Sequence, residues 1–96
     1  MSSNENALPA PPIAALNPEA IEILRAWSAP GAVNQVVLNT TWDDAGSWGL
    51  LLVDLARHAA REYASKGHDP AVALNRIKQL FDAEWSHPTD SPIQLS

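Results

Sequence analysis

The sequence predicts an α+β fold, a β-hairpin followed by two antiparallel helices, and three observations carry that reading. Residues 43–66 and 70–85 each repeat apolar side chains every three or four positions, the period of a helix with a buried face. Only Gly67, His68 and Asp69 separate the two stretches, a connection suited to a helical hairpin. Upstream, Gln35-Val36-Val37-Leu38-Asn39-Thr40 is rich in β-branched residues and reads as a strand, whose ladder groups need a partner.

In chain order, residues 1–17 are expected to be a disordered Pro-rich tail. Pro9, Pro11 and Pro12 stand close together and lack the backbone donor that a helix or inner strand uses. Few large apolar groups there offset the entropy of ordering. The segment Ile21 to Trp27 then admits two readings. As a helix it would start at Asn17-Pro18-Glu19, with Ala20, Leu24 and Trp27 on one stripe. As a strand, Ile21, Ile23 and Trp27 alternate with Glu22 and Ala26, and Pro30-Gly31 supplies a turn. The unpartnered strand downstream decides for the hairpin, with the helical first segment as the alternative.

For the first long helix, Thr41 or Asp43 is the expected cap, and Gly67 ends it where a left-handed residue is wanted. Trp48, Leu51, Leu52, Leu55, Ala56, Ala59 and Tyr63 share one face; Asp54, Arg57, His58, Arg61 and Ser65 share another. Leu50 and Val53 fall outside both, which makes the first half of this helix apolar almost all round, as in helices buried on two sides. In the second helix Asp69 is the cap and Pro70 takes the first position, where its fixed φ fits and its missing N–H costs nothing. Its apolar stripe is Ala73, Leu74, Ile77, Leu80, Phe81 and Trp85. Residues 86–96, with Pro88 and Pro92 and no helical period, are expected to form an extended C-terminal tail, although Ile93 and Leu95 are apolar enough to pack. The single domain is thus residues 18–85.

Composition narrows the function. The 96 residues carry 6 Lys plus Arg against 11 Asp plus Glu, a formal net charge of −5. That balance argues against a nucleic-acid surface, where cations must neutralise phosphates, and against docking to anionic lipid. With no Cys, a disulfide scaffold, a thiol nucleophile, a thiolate zinc site and an iron–sulfur cluster fall away. The longest apolar-plus-Gly run, Trp48 to Val53, is far short of the roughly 20 residues that span a bilayer. The opening Met-Ser-Ser-Asn-Glu-Asn has no apolar core, so no signal peptide is expected. The expectation is a small cytoplasmic domain without membrane or nucleic-acid partners.

The stretch from Thr41-Trp42-Asp43-Asp44-Ala45-Gly46-Ser47-Trp48-Gly49 to Arg57-His58, together with Phe81-Asp82-Ala83-Glu84-Trp85 and Pro88-Thr89-Asp90, resembles a family of short, mostly alphaproteobacterial proteins catalogued as a domain of unknown function. The resemblance runs over roughly residues 20–90. It implies a conserved small fold and a bacterial cytosolic home, and it implies no activity.

Two groups of residues are candidates for binding a ligand or partner. Trp42, Asp44 and Trp48, with Asp43, cluster where the strand hands over to the helix; exposed indoles beside carboxylates suit a cationic or amphipathic partner. The plainer reading is that the acids complement the positive end of the helix while Trp48 opens its buried stripe. Asp54, Arg57, His58 and Arg61 line one side of the first helix. Asp54 and His58 stand at i, i+4, a spacing at which a carboxylate can orient an imidazole for acid–base work; an ordinary solvated face looks the same. No nucleophile or oxyanion-hole loop is tied to the pair by spacing, so no catalytic residue is assigned. His58, His68 and His87 share no helical turn, and residues 67–70 lack the oxygen ligands of a calcium loop. The four glycines form no phosphate loop. Neither a metal nor a cofactor is expected.

The helix apolar on more than one side, and 4 Trp in so short a chain, point to a homodimer. Two interfaces would serve: helix to helix through Leu50 and Val53, or edge to edge through the hairpin. The function that fits best is a non-enzymatic assembly or interaction protein. The alternative is a small-molecule binder or weak enzyme using the Asp54/His58 face or a Trp-lined pocket.

Overall fold

The element order is α1 (Ile13–Leu16), β1 (Leu24–Trp27), β2 (Gln35–Leu38), α2 (Gly46–Ser65), α3 (Pro70–Ser86) and β3 (Ile93–Gln94). The computed structural model describes residues 5–89 and 93–94. Residues 1–4 of the expected N-terminal tail, and residues 90–92, 95 and 96 of the expected C-terminal one, lie outside those described.

The hairpin forms as the strand reading required. β1 and β2 pair antiparallel from Leu24 opposite Leu38 to Trp27 opposite Gln35. Within their connection the Ala32 amide donates to the Ala29 carbonyl at 3.1 Å, with Pro30 and Gly31 at the two central positions. Gly31 has φ +76°, the value that a type II turn demands there and that a side chain resists. The helical alternative for the first segment is not adopted. Asn17 closes a turn instead, its Oδ1 accepting from the Glu19 amide and its carbonyl from the Ala20 amide. Cross-strand partners share a face, so Leu24, Ala26, Val36 and Leu38 lie on one side of the ribbon. Of these, Leu24, Val36 and Leu38 are half-buried; the opposite side leaves Val37 exposed.

Beyond the hairpin, β3 pairs parallel with β2, Gln35 opposite Ile93 and Val36 opposite Gln94, giving a sheet of order β1-β2-β3. The stretch after residue 86 thus returns to the sheet, and the stretch before residue 18 contributes the helical turn α1.

The helical hairpin rests on its connection. Gly67 (φ +94°) donates to the Ala64 carbonyl, and His68 donates back to the Tyr63 carbonyl, which together make a Schellman ending. The contact that accompanies this motif is present too, with the Tyr63 and His68 rings edge to face at 5.8 Å. Asp69 then caps α3, its Oδ1 accepting from the Ala71 amide at 2.8 Å and the Val72 amide at 3.4 Å, with Pro70 at the first position. The start of α2 corrects the sequence reading. Neither Thr41 nor Asp43 caps it; the helix begins at Gly46 with no side-chain cap on Ala45. Asp44 is the reason, because its Oδ1 takes the Gly46 amide at 2.8 Å and holds residues 44–46 in a local turn.

Ala60 is the one buried core residue among those described. It faces a seam where Ala56, Ala59 and Ala64 of α2 and Ala73, Leu74 and Ile77 of α3 are half-buried. The helices make their close backbone contacts with each other and the strands with each other; no Cα of either helix comes within 8 Å of a strand Cα among the described residues.

Three substitutions test this local account at one fixed protomer concentration. Asp69→Ala should lower stability by about 1 kcal/mol through loss of the cap, moving the thermal midpoint down by roughly 4–8 °C for a domain of this size. Gly67→Ala should cost about 1–2 kcal/mol, since alanine is forced into a left-handed conformation. Gly49→Ala should act the other way. Gly49 lies within α2 with open space where a Cβ would stand, so a gain of about 0.5–1 kcal/mol is expected. Calorimetric melts of the three variants check all three signs.

Candidate functional site

The corner between β2 and α2 brings together three of the expected residues. Trp42 and Trp48 meet edge to face, ring centroids 5.4 Å apart and planes at 73°, a geometry that adds roughly 0.5–1.5 kcal/mol beyond the area buried. Trp48 is half-buried in the first turn of α2, and Trp42 stays partly exposed beside it. Asp44 is occupied by the Gly46 amide, which makes it part of the turn. The corner is therefore an indole pair held by a carboxylate-closed turn, with Trp42 its more exposed side chain.

The second group stays apart. Asp54, Arg57, His58 and Arg61 are all exposed on α2. The i, i+4 pair is not made: the ion pairs present among the described residues are Arg25–Glu22 at 2.8 Å and Lys78–Asp82 at 2.7 Å. The imidazole is thus not oriented by the carboxylate, and the face is a solvated one. No group of three or more His, Asp or Glu side chains stands close enough to share a metal ion among the described residues. No helix among them is long and apolar enough to cross a membrane.

A feature that the sequence reading passed over lies at the turn between the helices. A groove of about 530 Å³ is walled by Tyr63, His68, Asp69, Val72, Ala73, Arg76, Ile77 and Leu80. The Schellman turn aims Tyr63 and His68 into each other, and Arg76 is held one turn along α3 by the Gln79 Oε1 at 2.8 Å. Spacing alone did not flag it, because the wall residues belong to two helices and to the loop. The remaining tryptophans do not converge on a pocket: Trp85 stacks on Phe81 at 5.6 Å and 22° near the end of α3, while Trp27 sits in β1.

With this geometry in hand, the likeness to other proteins can be placed. The chain belongs to the family of the domain of unknown function DUF5076, whose pattern matches residues 7–89. That match reaches further towards the N-terminus than residues 20–90 and takes in α1. Among solved structures, one from the photosynthetic bacterium Rhodopseudomonas palustrus is 38% identical in sequence. It covers 99% of this chain and 98% of its own, with a TM-score of 0.77. That protein carries the provisional name of a pyruvate dehydrogenase. Among curated proteins no match is found.

Unfolding measurements separate the two groups. A double-mutant cycle on Trp42→Ala and Trp48→Ala should return a coupling of about 0.5–1.5 kcal/mol. Asp54→Asn and His58→Ala, singly or together, should leave stability within about 0.5 kcal/mol of the parent. A coupling between Asp54 and His58 as large as that of the indoles would show that the pair forms.

Proposed function

We propose that this member of the DUF5076 family is a non-enzymatic assembly protein of the bacterial cytosol that works as a homodimer. The observation that supports the reading most directly is surface. The chain exposes 8370 Å², whereas a compact monomer of 10.4 kDa would expose about 5,400 Å². Its radius of gyration is 15.4 Å, against about 12.5 Å for a compact domain of this length. The excess of roughly 3,000 Å² includes many large apolar side chains, among them Leu50, Val53, Leu80 and Trp85, each more than half exposed. Large apolar side chains exposed in this number favour association. On α2, Asp54, Arg57, His58 and Arg61 are exposed and Asp54 makes no ion pair with His58 among the described residues, which favours an interaction role over a catalytic one.

A second reading rests on the groove at the helical turn. Its volume lies in the range of small-molecule sites, and its walls are mainly apolar, with Arg76 as a cation and Asp69 as a carboxylate. The name carried by the Rhodopseudomonas relative makes a 2-oxo acid the first ligand to try, with Arg76 as the group that its carboxylate would meet.

Native mass spectrometry on protein purified gently from its own host tests both. The expected result is a species of twice 10.4 kDa with nothing added. A monomer in dilute solution that keeps its full helicity overturns the homodimer. A reproducible extra mass, or a rise in thermal midpoint with millimolar pyruvate that Arg76→Ala abolishes, moves the conclusion to the groove.

A further inference from the structure

We propose that the homodimer closes through the open end of the helical hairpin, where Phe81 and Trp85 of each chain lie over Leu50 and Val53 of the second copy. This inference rests on the homodimer reading and names its surface. Leu50 is 72% exposed, Val53 52%, Phe81 46% and Trp85 75%. Counted outward from the turn at Gly67 and His68, Leu50 stands level with Trp85, and Val53 with Asp82 beside Phe81. Around α2, Leu50 leads the buried Ala60 by about 80°, and around α3, Trp85 leads the half-buried Ile77 by the same angle. In antiparallel helices equal leads fall on one side, so the four residues make a single patch.

The patch suits a copy of itself. One half is aliphatic and belongs to α2; the other is aromatic and belongs to α3, with Phe81 and Trp85 already stacked at 5.6 Å. A two-fold axis running between the helices sets each aromatic half on an aliphatic half, as an isologous contact requires. Two chains together carry a surplus of about 6,000 Å², enough to supply the roughly 2,000–5,000 Å² that obligate homodimers bury in total. The alternative contact, edge to edge through the hairpin, is less favoured. β1 is a four-residue edge strand carrying Arg25, which is paired with Glu22, and short charged edges discourage further pairing.

Charge selects no other occupant. The patch itself is neutral, and Lys78 and Asp82 beside the aromatic pair neutralise each other at 2.7 Å. It offers nothing to select a strongly charged protein. Two copies at −5 each repel, so added salt should tighten this dimer, whereas a partner recruited by charge would be released.

The lack of native cysteine allows a direct test. Leu50→Cys protein is mixed with affinity-tagged Trp85→Cys protein under mild oxidation, and covalent heterodimer is counted after denaturation. Both sites are largely exposed in the protomer, so either thiol should leave its own fold intact; circular dichroism checks this. The expected yield is at least tenfold above that from Leu50→Cys mixed with Val33→Cys, which places the second thiol in the β1–β2 connection. Equal yields from a native dimer overturn this interface and leave the homodimer standing. A wild-type monomer at the same concentration overturns both.

Discussion

Everything in this structure turns on a shortage of cover. A single chain of this length folds its strands and helices locally but, among the described residues, buries only Ala60. Small domains hide a low fraction of their surface in any case. Hydrophobic stabilisation scales with apolar area removed from water, so a protomer built this way holds little of it internally. In the homodimer proposed above, its stability would depend on what covers it, and concentration would enter the equilibrium as directly as sequence does.

Where the fold was legible, a few residues acted over short range. Pro30-Gly31, Gly67 and Asp69-Pro70 each have one strongly preferred backbone role, and each adopts it. Such signals do not depend on tertiary packing, which is why the hairpin and both helices could be drawn from the chain alone. The choice of strand over helix for residues 21–27 followed from a different kind of argument: β2 needed a ladder partner, whatever the local propensity.

What escaped the sequence was long-range or was settled between near-equal neighbours. Thr41, Asp43 and Asp44 are all competent near a helix start, and only the backbone course decides that Asp44 takes the Gly46 amide. The pairing of Gln94 with Val36 joins distant parts of the chain and leaves no periodic trace in two residues. In the candidate site, adjacency in sequence foretold the meeting of Trp42 and Trp48, because the corner between strand and helix is short. The i, i+4 spacing of Asp54 and His58 permitted a pair without compelling one. In open water such contacts contribute only a few tenths of a kcal/mol, and nothing here shields them.

The placement of β3 carries a consequence for the order of events in folding. The ladder between β1 and β2 closes over one short turn, and the helices wind within their own lengths, so these parts assemble from neighbouring residues. The third strand can find β2 only by spanning the entire helical hairpin, and closing a loop of that size carries an entropic penalty before any hydrogen bond compensates it. With two residues to offer, β3 is a late and weakly held latch. Until it docks, the outer edge of β2 presents free amides and carbonyls to any other chain emerging nearby, which makes β3 its guard against mispairing.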